Sequence, residues 1–420
     1  MKPSLVMCAL ACAASTALAQ KPDSTRRPVT KADSAAADSI ALMKELEKLQ
    51  QAAPPPAAPV GPRGASNPRL LPDVSAVGDL VGDLSPKGST QESGARFGVR
   101  EVEVAVQAVV DPYFRGDVFL GFSDTEGASI EQAFLTTTSL PWGLQARLGR
   151  YLMPVGKQNT THRHDLHTIE YPWVVQRFFG PEGLKGTGVS VSKVLAPFGF
   201  YQELQLSAVD RFGEKPADLQ SATPVNKQLD GMGYAARFRN YWDFSESTNL
   251  ELSASAITGK VEQPVQRTSA SDGSVINAVN ARQSVTGADV TFRWRPLQQG
   301  LYKSFILQAE VMRQSNQRFV TPAGAAQYQG PGRDFTGGYV FARWQVGQRL
   351  FLGGRYDQLQ DPTLGAATLA AQSAVLEFFP SEFSKLVAQF EHLAPNGTSA
   401  TNRLLLQATF ALGPHKPHPF

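Results

Sequence analysis

The feature that most constrains this chain is a period-two alternation of apolar and polar side chains, which begins after Pro72 and recurs up to the C-terminal region. Within residues 102–110 every second side chain is apolar, whereas Glu103, Ala105 and Gln107 lie on the opposite face. Successive side chains of a β-strand point to opposite faces, so each such segment offers one face to an apolar medium and one to water. The alternation predicts an all-β protein, and both a soluble sandwich and a membrane barrel satisfy it.

Composition removes several classes of protein. Both cysteines of the 420-residue chain, Cys8 and Cys12, lie near its start, which excludes a disulfide scaffold, a cysteine-ligated metal site and a cysteine nucleophile in a chain processed after them. The formal net charge of +3 argues against a nucleic-acid partner bound through bulk charge. Beyond the N-terminus no run reaches the roughly 18 apolar residues of a spanning helix. A transmembrane barrel hides its lipid-facing side chains in alternation instead.

The N-terminal region is typical of an exported protein. Residues 1–19 combine Lys2, an apolar stretch and the small residues Ala17 and Ala19, as in a secretory signal peptide. Residues 20–72 are predicted to form a periplasmic segment, helix-prone at first and then a stiff, proline-rich tether. We expect no chemistry in this part of the chain.

Sixteen alternating segments follow within residues 73–420, and an even number suits an outer-membrane barrel. Short connections such as 111–114 and 243–247 alternate with mostly longer ones such as 153–186 and 259–285. Bacterial outer-membrane barrels sort their connections in this way, whereas a soluble sandwich has no reason to do so. The sequence therefore predicts a transmembrane, porin-like, 16-stranded antiparallel β-barrel. The predicted strands lie near 73–84, 96–110, 115–123, 129–138, 143–152, 187–195, 200–211, 232–242, 248–258, 286–297, 305–315, 335–345, 349–358, 367–379, 385–393 and 402–412.

Aromatic residues support the membrane interpretation. Trp142, Trp242, Trp294 and Trp344, four of the five tryptophans, fall at the short-turn ends of predicted strands. Indole rings prefer the headgroup level of a bilayer to hydrocarbon or water, so these positions predict an interfacial girdle in contact with outer-membrane lipid.

The face opposite the apolar one would line the lumen, and arginine is its most frequent basic residue. A barrel of about 16 strands encloses an aqueous channel. Arginine or lysine rings in a pore favour anions, so we expect small inorganic or organic anions to be preferred mildly. A weakly selective pore, in which acids and bases offset each other, is the alternative. The basic residues assigned to the lumen wall are Arg147, Arg237, Arg239, Arg293, Arg295, Arg343, Arg355, Lys385 and Arg403.

The connection 153–186 is the longest, and a loop of this length in a compact fold usually carries function. We expect it to form a charged constriction. Its stretch 162–167 holds three imidazoles and a carboxylate, which are transition-metal donors. The spacing is unlike that of common zinc sites and Arg163 would lie beside the cation, so no metal is assigned; a site at His162, His164 and His167 is the alternative. The predicted constriction residues are Lys157, His162, Arg163, His164, Asp165, His167 and Arg177.

Enzyme signatures are weak. The glycine-rich run 180–188 precedes a strand and lacks the Gly-Lys-Ser/Thr ending of a phosphate-binding loop. A Gly-x-Ser-x-Gly elbow is absent from the sequence, and His392, on the predicted lipid face, has no serine context that marks a nucleophile. We therefore expect neither a catalytic residue nor a cofactor.

One stretch resembles a known family. Residues 147–157 read Arg-Leu-Gly-Arg-Tyr-Leu-Met-Pro-Val-Gly-Lys, and His162-x-His164, Tyr171-Pro172, Gln176-Arg177-Phe178 and the run 180–188 follow. With the helix-prone leader and the terminal Phe420, this pattern is similar to outer-membrane porins of the phosphate-selective O and P type. The resemblance implies a passive channel, often a homotrimer, with the third loop folded into the lumen. Loop 153–186 departs from that family in carrying four Lys or Arg against three Asp or Glu.

The expected function is passive diffusion of small hydrophilic solutes across the bacterial outer membrane. The competing hypothesis is a barrel without a channel, structural or adhesive, whose lumen is occluded by loop 153–186.

Overall fold

The structure is a computed structural model that describes residues 72–91, 94–124, 127–213, 219–220, 228–267, 276–317, 332–364 and 367–414. The predicted signal peptide, helix-prone segment and most of the proline-rich tether lie outside these residues, as does Phe420.

Within the described residues, seventeen strands form one sheet, and sixteen of them close a barrel. Each barrel strand pairs antiparallel with its neighbours, and β1 pairs with both β2 and β17, which seals the ring. The short strand β8 pairs in parallel with β11 and stands outside the ring, because β7 pairs directly with β9. The predicted 16-stranded antiparallel barrel is confirmed. The strands are β1 Asp73–Asp83, β2 Phe97–Val109, β3 Phe114–Ser123, β4 Gly127–Thr137, β5 Leu144–Leu152, β6 Lys185–Leu195, β7 Tyr201–Val209, β8 Leu219–Gln220, β9 Gly233–Ser245, β10 Thr248–Arg267, β11 Ile276–Trp294, β12 Phe305–Gln317, β13 Arg333–Gln345, β14 Leu350–Asp361, β15 Ala367–Ser381, β16 Ser384–Pro395 and β17 Thr401–Leu412.

The alternation of the sequence becomes an apolar outside and a polar inside. In β17, Leu404 and Phe410 have exposed fractions of 36% and 42%. Arg403, Gln407 and Thr409 are buried, with exposed fractions of only 4%, 3% and 2%. A closed barrel leaves no unpaired strand edge, and an exposed apolar band is stable only against lipid hydrocarbon.

The two rims differ as predicted. Trp294 and Trp344 stack on each other with ring centroids 5.8 Å apart at the short-turn rim, and Trp242 packs against Phe200 at the same rim, 4.9 Å between centroids. The long-loop rim differs from the prediction at 259–285, because strand pairing continues there: β10 extends to Arg267 and β11 starts at Ile276. About 9–11 residues suffice to cross a bilayer, so this hairpin extends past the bilayer.

One short helix lies in the longest loop. Helix α1, Trp173–Phe179, follows Pro172 at its N-cap and ends at Gly180, whose φ of 100° favours glycine. Among the described residues, no helix is long and apolar enough to cross a membrane.

Candidate functional site

The segment between β5 and β6, residues 153–184, lies inside the barrel, and we call it the luminal loop. Lys157 Nζ is 2.8 Å from Glu251 Oε1 on β10, and the Trp173 backbone N–H donates to Asp357 Oδ1 on β14 at 2.9 Å. Contacts with strands this far apart mean that the loop crosses the lumen. The loop predicted to form the constriction therefore lies in the lumen, and β6 starts at Lys185, two residues earlier than predicted.

The loop enters the lumen through a glycine turn. Gly156 has φ of 68°, and its N–H donates to Ser255 Oγ at 2.9 Å. A Cβ at this position would lie 1.7 Å from Glu310 Oε1, so only glycine fits.

The luminal loop has an apolar core of its own inside the barrel. Its buried side chains pack against inward-facing aromatic residues of β13, where Phe335, Tyr339 and Phe341 are exposed at 0%, 3% and 2%. Such packing anchors the loop on one side of the lumen. The loop residues of this core are Met153, Val155, Leu166, Tyr171, Val174, Val175, Phe178 and Leu184.

Buried ion pairs reinforce that side. Arg403 Nη1 lies 2.8 Å from Glu391 Oε1 and 2.9 Å from Glu170 Oε2, which belongs to the loop. Burial raises the pKa of Glu170, but the Arg403 guanidinium outweighs this effect and keeps the pKa below its ordinary value. Arg355 Nε donates to Asp357 Oδ2 at 2.7 Å, and its Nη1 donates to the Glu170 carbonyl at 2.9 Å.

Near the short-turn rim, buried charged groups on the same side pair with one another or bond to the luminal loop. Arg343 Nε and Nη2 lie 2.6 and 3.1 Å from the two carboxylate oxygens of Glu377, with the two side chains exposed at only 4% and 0%. Lys385 Nζ donates to the carbonyl of His164 at 2.5 Å and to that of Leu166 at 2.9 Å. We call the inward faces of β13–β17 the anchored wall, because their charged groups hold the loop or one another.

The opposite side is more open. Arg239 Nη2 lies 2.7 Å from Glu203 Oε2, with side-chain exposures of 34% and 20%, and Arg293 is exposed at 33% with Glu251 at 3.6 Å. Arg147 stacks on Phe134, 4.4 Å from the ring centroid, and is half-buried. We call the part of the inward faces of β5, β7, β9 and β11 that carries Arg147, Arg239 and Arg293 the open wall.

Two predicted lumen residues need separate mention. Arg237 faces inward but is buried, with an exposed fraction of 7%. Its Nη2 lies 3.7 Å from Asp289 Oδ2 and 3.8 Å from Glu251 Oε1. The prediction for Arg295 is wrong. Strand β11 ends at Trp294, and Arg295 is exposed in the following turn, where its Nε donates to the Gly300 carbonyl at 2.9 Å. The turn starts three residues before its predicted position, which removes Arg295 from the lumen wall.

A basic cavity of about 460 Å³ lies between the luminal loop and β1, β2 and β17. Its lining includes Arg100, Arg163, Arg177 and Arg403, with Glu170 and other acids between them. Arg177 Nε is 2.8 Å from Asp361 Oδ2, and Arg163 Nη1 is 3.7 Å from Glu182 Oε1.

The alternation pattern did not predict that Arg100 faces the lumen. The β1–β2 register shifts between Asp79 and Leu80, so that Arg100 is an extra residue in its strand. It turns inward, pairs with Asp79 and donates to the Ile169 carbonyl at 2.7 Å. A β-bulge of this kind reverses the side-chain face, and simple periodicity does not reveal it.

The histidines separate into two places. His162 and His164 lie together, with ring centroids 5.5 Å apart, and Asp165 Oδ1 is 3.7 Å from His164 Nε2. His167 stacks on Phe341 at 5.9 Å on the anchored wall. The three-histidine set of the alternative metal hypothesis is therefore wrong as a set, because backbone geometry directs His167 elsewhere.

Comparison with solved structures identifies the fold. The outer-membrane channel DcaP of Acinetobacter baumannii is 10% identical, with 82% of this chain and 97% of that chain covered and a TM-score of 0.53. Salmonella typhi OmpF, in complex with daunomycin, is 10% identical over 83% of this chain and 99% of its own, with a TM-score of 0.52. This is the outer-membrane porin fold.

Sequence relatives add little. The chain is 25% identical over 341 residues to an uncharacterized protein of Aquifex aeolicus (strain VF5), covering 77% of this chain and 70% of that protein. No family model matches the sequence. The porin fold, the exposed apolar band and the aromatic rim make the chain a bacterial outer-membrane protein.

Proposed function

We propose that this porin-fold protein is a passive diffusion channel for small hydrophilic solutes. The observation that carries the proposal is the asymmetry of the lumen: the luminal loop is fixed to the anchored wall, while Arg239 and Arg293 on the open wall keep about a third of their surface accessible. Solutes would pass between the loop and the open wall without losing their hydration. No chemical step is involved.

We also propose a mild preference for anions, which the arginines around the luminal loop and on the open wall support. The basic cavity on the long-loop side contains four arginines, and Arg147, Arg239 and Arg293 lie on the open wall. Carboxylates weaken this preference, because Glu203 and Glu170 partly neutralise the charges of Arg239 and Arg403, with which they pair. Phosphate-like anions fit a guanidinium-lined path, which agrees with the resemblance of the sequence to the O and P type porins.

A homotrimer is proposed on the family resemblance. The outward faces of β10–β13 carry small residues at neighbouring positions, Ala254, Ala288, Ala309 and Gly338, none of them buried. A second barrel can approach closely over such a surface. Chemical cross-linking in native membranes tests the trimer.

One observation favours the alternative, a barrel without a channel. The apolar core of the luminal loop fills part of the lumen, and Tyr151, Met153 and Val155 are exposed at 0%. If the loop also covered the open wall in the membrane, the protein would serve a structural or adhesive role.

Planar-bilayer recording of the refolded protein separates the two functions. A channel gives discrete ohmic current steps, and a salt gradient of ions with matched mobility gives a reversal potential of the sign expected for anions. Absence of steps would overturn the channel, whereas a reversal potential near zero would remove only the anion preference.

A further inference from the structure

Glu103, His162 and His164 converge at the edge of the luminal loop, where the loop meets β2 and β4. One carboxylate oxygen and one nitrogen from each imidazole lie within 4.8 Å of one another. His164 and Glu103 are buried, with exposed fractions of 3% and 5%, whereas His162 is partly exposed. The carboxylate comes from a barrel strand and the imidazoles from the loop, so strand and loop must both be in place for the group to form.

A chain of hydrogen bonds orients the His162 ring. The Leu152 backbone N–H donates to Gln132 Oε1 at 3.1 Å, which turns the Gln132 amide nitrogen towards His162 Nε2 at 2.7 Å. The proton of the neutral ring then lies on Nδ1, 2.8 Å from Glu103 Oε2. A metal-binding imidazole is held in the same manner by a partner on its second nitrogen.

The charges around the group favour a cation. Glu103 Oε2 lies 2.8 Å from His162 Nδ1, and Asp165 Oδ1 lies 3.7 Å from His164 Nε2. The nearest arginine in sequence, Arg163, directs its guanidinium to Glu182, 3.7 Å away. Positive charge at this place is therefore stabilised by carboxylates on both the barrel and the loop.

We propose that Glu103, His162 and His164 bind one divalent transition-metal ion, with Zn²⁺ as the reference ion. Two imidazoles and one carboxylate are a donor set that Zn²⁺ uses, with bonds of about 2.0–2.2 Å. In a tetrahedron such bonds place ligand atoms roughly 3.4 Å apart, so small side-chain rotations complete the site. Water supplies the remaining position.

Binding at His162 Nδ1 requires a proton shift. The ring proton moves from Nδ1 to Nε2, and the Gln132 amide turns over so that its Oε1 accepts that proton. The rotation gives up the bond from the Leu152 N–H, and this cost limits the affinity of the natural protein. A carboxylate at position 132 would accept both protons without rotation.

The test is a Zn²⁺ titration of the full chain folded in detergent, followed by calorimetry. It requires no transport, so it succeeds or fails independently of the channel. We expect one Zn²⁺ per chain, an affinity reduced at least about tenfold in His164→Gln and in Glu103→Gln, and an affinity raised in Gln132→Glu. His167→Gln, from the same loop but on the anchored wall, is the matched control and should bind as the natural protein does.

Spectroscopy provides a second measurement that loss of stability alone would not produce. Bound Cu²⁺ should show coupling to two imidazole nitrogens in its electron paramagnetic resonance spectrum, and to one in His164→Gln. Circular dichroism shows whether each variant is folded. Absence of Zn²⁺ binding by the natural protein, or an equal loss of affinity in His167→Gln, would overturn the proposal.

Discussion

Arg293 and Arg343 occupy equivalent positions in two strands of the barrel. Each precedes a tryptophan of the short-turn rim, and the two tryptophans stack on each other at 5.8 Å. Yet Arg293 is exposed at 33% with its carboxylate partner at 3.6 Å, whereas Arg343 is exposed at 4% and makes a two-point contact with Glu377.

The difference comes from the luminal loop. On the anchored wall, His167 stacks on Phe341 and lies 3.5 Å from Glu377, so the loop removes water from the Arg343 pair. On the open wall, Lys157 of the loop reaches the Glu251 partner, but the Arg293 side chain itself stays 33% exposed. One sequence pattern therefore has two outcomes: a buried arginine whose partner Glu377 contacts the loop, and a partly exposed arginine on the path proposed for the solute.

The largest expected effect is on stability. Arg343→Gln leaves the Glu377 carboxylate buried without its partner, which typically costs about 3–5 kcal/mol. Arg293→Gln removes a partly exposed pair, worth about 0–1 kcal/mol. Urea unfolding in lipid vesicles measures both. Equal losses for the two variants would break the distinction between the walls.

The next effect concerns the attachment of the loop. Lys385→Met deprives the carbonyls of His164 and Leu166 of a charged donor, a loss of about 2–3 kcal/mol. We expect a loosened loop, seen as larger and noisier single-channel currents. Lys193→Met, at an exposed outward position on β6, is the control, and similar currents from the two variants would show that Lys385 does not hold the loop.

A smaller effect is expected on selectivity. The double variant Arg239→Gln with Arg293→Gln removes the exposed guanidinium groups of β9 and β11, so the reversal potential should shift towards cations. Arg295→Gln should leave it unchanged, because Arg295 lies in a turn bonded to Gly300. A shift caused by Arg295→Gln instead would place the path elsewhere.

The smallest effect is on pH dependence. Burial, followed by the charge of Arg343, lowers the pKa of His167, so the folded protein keeps this ring neutral. The unfolded chain takes up the proton below its ordinary pKa of about 6.5, so the contribution is complete above that pH and is lost as pH falls. His167→Gln should therefore reduce the loss of stability between neutral and mildly acidic pH, measured by urea midpoints. An unaltered pH profile would contradict this assignment.

Much of the fold follows from the sequence, because side-chain alternation and loop sorting are local patterns that a barrel preserves. The ends of strands are harder to predict from the sequence. Arg295 falls beyond the end of β11, and β10 continues well past its predicted end. The bulge that turns Arg100 inward also leaves no mark in the pattern. These features depend on pairing with neighbouring strands, which periodicity does not contain.

The candidate site was predictable as a set of residues but not as an arrangement. The charges of the lumen were identified, whereas the pairing of Arg343 with Glu377 and the separation of His167 from His162 were not. Both depend on how the luminal loop folds back on distant strands. The apolar residues of the loop, such as Val174 and Phe178, were the sequence signal for this folding, because a fully hydrated loop would leave them exposed to water.

The most direct test uses the absence of cysteine outside Cys8 and Cys12. Arg293→Cys and Arg343→Cys each introduce one thiol at the same depth of the barrel, and a charged thiosulfonate is added during bilayer recording. Solute passing along the open wall predicts rapid modification and a drop in current for Arg293→Cys, with Arg343→Cys unreactive. Modification of Arg343→Cys while Arg293→Cys remains protected would contradict the path proposed for this channel.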